Sequence, residues 1–161
     1  MANYYPPVAF AFSVRIAGNR AGVDSAFQEV SGLTAERTLE DVPEGGENRF
    51  VHRVPGQVKQ QNLVLKRGMV LTASPLFDWC KTTLESDLAS RIQVKDLTVA
   101  LLDQKQKPVI GWSVVRAWPV KWQVGNFDAK ENAVLIETIE LSFQRIERKL
   151  ERQLGPEGFF A

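Results

Sequence analysis

His52, Cys80 and a scatter of carboxylates are the side chains of this sequence that could carry catalysis. His52 is the sole histidine, so a Ser-His-Asp or Cys-His arrangement would have to use it as general base. It stands between Arg49 and Arg53 near the acids of a polar segment, and nothing in the spacing marks Cys80 as its partner. A solvated loop histidine is the better reading. Cys80 falls on the apolar side of a helical pattern beside Phe77 and Leu84, where a free cysteine behaves as a small hydrophobe. Asp78 with Glu85, or Glu137 with Glu140, could form an acid/base pair, but carboxylates are common on solvated faces. Gly45-Gly46 lacks the spacing of a phosphate loop or dinucleotide fingerprint and opens no helix. The residues therefore imply no catalytic set, no metal site and no cofactor.

Three further groups ask for a partner rather than a substrate. Trp112, Trp118 and Trp122 could make an aromatic platform for a sugar or base, although filling the core or a subunit seam is the more usual work of large aromatics. Glu137 lies in the apolar run from Val134 to Phe143, and alternation puts it on the same strand face as Leu135, Ile139 and Leu141. A carboxylate there must be paired inside the fold or sit at a subunit interface. Lys66-Arg67 ends a strand with two adjacent cations, either of which could serve Glu137 or a neighbouring subunit.

The elements that must position these groups are mostly strands. Val8 to Ile16 alternates large and small residues, and Gly18 to Gly22 supplies a turn. Ala26 to Leu33, Ala35 to Val42, Arg49 to Val54, Val58 to Lys66, Ile92 to Leu102, Val109 to Val115, Lys121 to Val124 and Ala133 to Phe143 read as further strands. Asp103 to Pro108 and Gly125 to Asp128 read as turns between them. Ser74 as N-cap with Pro75 at the first position opens a helix over about residues 75–89, whose apolar face is Leu76, Phe77, Cys80, Leu84 and Leu88. The resulting expectation is a mainly β fold, a barrel or sandwich with one flanking helix. Residues of about 34–54 form an extended hairpin loop turning on Glu44-Gly45-Gly46-Glu47-Asn48, longer than a compact domain needs and so a candidate contact arm.

Composition narrows the function class. The 161 residues fit one domain, expected over 1–145 with a C-terminal extension over 146–161. Twenty Lys and Arg against nineteen Asp and Glu give a net charge of +1, without the basic excess of a nucleic-acid binder. A lone cysteine rules out an intrachain disulfide framework and suits a reducing compartment. The N-terminal residues lack the pattern of a secretory signal peptide, and no apolar run is long enough for a spanning helix, so no membrane anchoring is expected.

In order along the chain, Tyr5-Pro6-Pro7-Val8 with Phe10, Phe27 to Leu33, Glu44 to Phe50, Asn62 to Gly68, Trp112 with Ala117 to Trp122, and Glu137 to Leu141 resemble the tail-tube protein family of contractile phage tails and extracellular contractile injection systems. The likeness extends over roughly residues 4 to 145 and reaches the haemolysin-coregulated protein of type VI secretion. It implies a β-barrel with a flanking helix, six copies forming a ring, and rings stacking into a hollow tube that sheath contraction drives into a target. The implied partners are further copies of the chain, tube-initiator or spike and baseplate proteins, the surrounding sheath and a possible lumenal cargo. Assembly in the bacterial cytoplasm into a phage tail or extracellular tail-like particle is implied too. On that resemblance Glu44, Gly45, Gly46, Glu47, Asn48, Arg49, Lys66, Arg67 and Glu137 are the expected subunit or ring contacts. The rival readings are a tube-initiating baseplate component of the same fold, a monomeric carbohydrate-binding β module using Trp118 and Trp122, and an enzyme dependent on His52.

Overall fold

The computed structural model describes residues 11–18, 23–46, 48–69, 72–87, 90–125 and 134–150. Residues 8–10, most of the turn at 18–22, Glu47, Leu88, the turn at 126–128 and the chain after 150 lie outside the described residues. In chain order the described elements are β1 (Ala11–Ile16), β2 (Asp24–Ser31), β3 (Glu36–Val42), β4 (His52–Lys59), β5 (Leu63–Gly68), α1 (Pro75–Glu85), β6 (Lys95–Leu102), β7 (Pro108–Val124), β8 (Ile136–Ser142) and β9 (Arg145–Leu150).

Seven strands form one antiparallel sheet in the order β6-β1-β2-β5-β8-β7-β9, and β7 also pairs with β6, so the chain of pairings returns on itself. The result is mainly β with one helix, as expected, but it is not a regular barrel with two partners along every strand. β7 is the reason. Its first part, to Ala117, pairs with β6, and residues 110–115 also pair with β9 on the other side. Its second part, from Trp118, pairs with β8. The two strands expected at Val109 to Val115 and Lys121 to Val124 are therefore one. Pro119 is tolerated inside it because the β6 and β9 ladders have already ended there, leaving one edge without a partner among the described residues that would need its N–H.

The strand expected from Val58 to Lys66 is instead the end of β4 and the first four residues of β5, broken at Gln60-Gln61-Asn62. The break lets the Asn62 main chain lie directly on Gly32, where any Cβ would collide with the Asn62 carbonyl. Gly32 also has φ +86°, a conformation that glycine adopts without steric cost. β6 starts at Lys95 rather than Ile92, and β8 runs from Ile136 to Ser142. Residues 145–150 continue as β9 along β7.

The helix begins as its sequence dictates. Ser74 Oγ accepts the Phe77 N–H at 3.1 Å and Pro75 fills the first turn. It ends at Glu85 rather than about residue 89, and it buries Leu76, Trp79 and Cys80 while Leu84 is 42% exposed. Trp79, not Leu84, completes the inner face, with its indole N–H donating to the Gln93 carbonyl at 3.0 Å. α1 packs on the sheet over a core that includes Val14, Ile16, Phe27, Leu63, Leu65, Leu97, Val99, Val114, Ile139 and Leu141.

Candidate functional site

Among the described residues the sheet holds a buried ionic network that gathers residues distant in sequence. β5 and β8 pair so that Arg67 faces Glu137, and period-2 alternation turns both inward with Ile139 and Leu141. Arg67 is 2% and Glu137 5% exposed. Arg67 Nε donates to Glu137 Oε2 at 2.7 Å, Nη1 to Asp24 Oδ1 at 2.9 Å and Nη2 to Ser74 Oγ at 2.9 Å. The Ser74 hydroxyl donates to Asp24 Oδ1, and Asp24 Oδ2 accepts the Leu76 N–H at 3.0 Å. Trp122 Nε1 donates to the remaining Glu137 oxygen, Oε1, at 2.8 Å.

Two carboxylates, one guanidinium, the Ser74 hydroxyl and an indole N–H thus satisfy one another. Burial works against the Arg67 charge, but hydrogen bonds and attraction to Glu137 and Asp24 outweigh it and raise the pKa above its ordinary value. The same burial, with the negative charges of Glu137 and Asp24 adding and Arg67 opposing, pushes the Cys80 thiol up to about 12. Cys80 is fully buried. A protonated, inaccessible thiol is no nucleophile, so its place is in the core.

Arg67 and Glu137, expected among the subunit or ring contacts, are thus buried and paired with each other inside the protomer. Their charges are spent inside the protomer, joining β2, β5, β8 and the start of α1. Lys66, on the opposite face of β5, pairs instead with Glu29 at 2.9 Å on the surface. Asp24 carried no sequence signal for this network, because its partners are 43 and 50 residues away. The apolar alternation that marked Glu137 as buried was visible; its partner was one of two adjacent cations.

The hairpin stands apart from all this. Among the described residues β3 and β4 pair only with each other, as a separate two-stranded sheet. A bulge at Gly56 breaks their register, with Arg37 Nη1 donating to the Gly56 carbonyl at 3.0 Å and Thr38 Oγ1 to the Gln57 carbonyl at 3.1 Å. Glu44, Gly45, Gly46, Asn48 and Arg49 are exposed at its tip, as the sequence suggested. His52 Nε2 lies 3.2 Å from Glu44 Oε1, and its ring meets the Phe50 ring edge-on at 5.1 Å. That arrangement offers no nucleophile beside the imidazole.

What the hairpin does offer is apolar surface. Leu39, Val42, Phe50, Val51, Val54 and Val58 are all exposed, Leu39 by 62% and Phe50 by 53%. Leu39, Pro55 and Val58 share one face, and Val42 and Val54 the other. An isolated two-stranded hairpin is marginal in water, and an apolar one invites a partner. Trp112 packs against the core, while Trp122 is 38% exposed with its N–H committed to Glu137 and its ring 5.4 Å from Phe77. Among the described residues, no group of three or more His, Cys, Asp or Glu could hold a metal ion.

Comparison with known proteins points the same way. Residues 8–147 match the family model described as T4-like virus tail tube protein gp19. A chain in the 6-fold symmetrised baseplate of the anti-feeding prophage is 33% identical, with TM-score 0.74, covering 92% of this chain and 97% of that one. A chain of the sheath-tube complex of the extracellular contractile injection system PVC, in the extended state, is 25% identical with TM-score 0.73, covering 91% and 93%. Hcp1 from Salmonella typhimurium shares the fold at 13% identity and TM-score 0.54, covering 91% and 89%. No curated protein sequence matches the chain.

Proposed function

The chain belongs to the T4-like virus tail tube protein gp19 family, and from that premise we propose that it builds the inner tube of a contractile injection system or phage-like tail. A tail tube or baseplate-type structural role is common ground for this family and for the contractile-particle chains that resemble this one. The finer reading is that six copies close into a ring, that rings stack into a hollow tube, and that the tube is propelled when a surrounding sheath contracts. Assembly takes place in the bacterial cytoplasm, and the protein acts without catalysis.

One observation carries this reading: the β3–β4 hairpin, outside the main sheet and exposing apolar side chains on both faces. An exposed apolar hairpin of this kind is the surface that a partner covers. A head-to-tail contact between different surfaces of identical subunits closes into a ring when its rotation permits, and repeats along an axis when it does not. Burying Leu39, Val54 and Val58 against another copy supplies about 25 cal/mol per Å² of apolar area. It also covers strand edges that would otherwise attract wrong partners.

A second reading has its own support. The 33% identical relative is a baseplate chain, which favours a tube-initiating component that joins the spike to the first ring. Quantitative mass spectrometry of purified particles separates the two roles. A main-tube subunit is the most abundant inner component; an initiator saturates at one ring per particle.

A further inference from the structure

β7 carries a bulge in its ladder with β6. Val115 and Arg116 together face the single residue Asp96, since Lys95 pairs with Ala117 and Leu97 with Val114. Arg116 takes φ +54°, unusual for any residue but glycine, and its N–H is held by Asp96 Oδ1 at 2.8 Å. Bulges of this kind re-aim a side chain. Arg116 lines an open depression of about 270 Å³ with Val94, Trp118, Phe143 and Gln144. A cation beside two aromatic rings suits an aromatic side chain with a carboxylate close by.

The same molecule exposes that complement. Phe50 stands at the hairpin tip with Glu44 nearby, both exposed and linked through His52. We propose that the hairpin tip of a second copy of this chain seats Phe50 in the Arg116 depression, with Glu44 facing the guanidinium. This rests on the tube reading and names the receiving surface that reading lacks. The tip cannot fill the depression of its own protomer. The hairpin root, at Ser31 and Leu63, lies beside the end of β8 that leads into Phe143. The paired arms then carry the tip about 23 Å away, at roughly 3.3 Å per residue over β3. The contact is heterologous, knob on one copy and hole on the next, as ring closure demands.

Cross-linking tests it directly. Phe50→Cys in one preparation and Gln144→Cys in another are mixed under assembly conditions and bridged with a short bismaleimide; buried Cys80 needs no replacement. The expected result is a cross-linked pair at least tenfold more abundant than with Lys81→Cys as the second position. Phe50→Ala and Arg116→Gly, the latter compatible with the bulge, each raise the concentration needed for assembly by about tenfold or more. If the unaltered protein assembles while the cross-link stays at the control level and Phe50→Ala assembles normally, the proposal is overturned and the tube reading stands. If Gln144→Cys instead cross-links above the control level to a cysteine placed within residues 151–161 while Phe50→Ala assembles normally, the tail occupies the depression, and the proposal is again overturned. A chain that never assembles overturns both.

Discussion

Arg67 Nε lies 2.7 Å from Glu137 Oε2, between side chains that are 2% and 7% exposed. The pair joins neighbouring strands, and through Asp24 and Ser74 it also ties the first turn of α1 to the sheet. Replacing such pairs by apolar residues is often harmless, whereas removing one partner leaves a buried charge unpaired. Arg67→Met is therefore expected to lower the unfolding free energy by about 3–5 kcal/mol in urea titration. A loss below about 1 kcal/mol would contradict the role given to the pair.

Trp122 closes the network from the surface side. Trp122→Phe keeps the ring near Phe77 but removes the N–H that Glu137 Oε1 accepts at 2.8 Å. The expected cost is about 1.5–3 kcal/mol, that of a hydrogen bond to a charged group. Unchanged stability by thermal or denaturant unfolding would place the Glu137 oxygen in water instead.

Cys80 adds a pH dependence of known sign. Its thiol is raised from 9.0 to about 12 by burial first. Between those values the unfolded chain loses a proton that the folded chain keeps. The stability held by the neutral thiol is thus complete below about pH 9 and lost by about pH 12, at up to about 1.4 kcal/mol per pH unit. The difference between the unaltered protein and Cys80→Ala, followed by urea unfolding across that range, isolates this component. A difference independent of pH would contradict it.

Two glycines of positive φ separate strain from collision. Gly46, φ +94°, has open space where a Cβ would be, so Gly46→Ala costs only the backbone preference, about 1–2 kcal/mol. Gly32→Ala adds a clash with the Asn62 backbone. It should cost more than Gly46→Ala and disturb the root of the hairpin. Equal losses in the two variants would contradict the close approach at Asn62.

Much of this was legible in the sequence, and particular residues show why the rest was not. Ser74-Pro75 announced the helix start because capping is local chemistry. Glu137 was marked as buried by strand alternation, which is also local. Asp24 was invisible because its role depends on bringing β2 beside α1. The hairpin was legible as an anomaly, yet its second arm reaches Lys59 because the Gly56 bulge lets the ladder continue past Pro55. Two strands were expected where β7 runs unbroken through Pro119. Tertiary pairing left that proline on an edge free of a partner among the described residues.

The central claim is self-assembly through the hairpin, and electron microscopy of negatively stained purified protein tests it most directly. The unaltered chain should form rings or tubes. A variant whose residues 44–48 are replaced by a short turn should keep the fold, judged by circular dichroism and thermal unfolding, but remain monomeric. Rings or tubes of normal length from that variant would contradict the account, as would an unaltered chain that stays monomeric at high concentration.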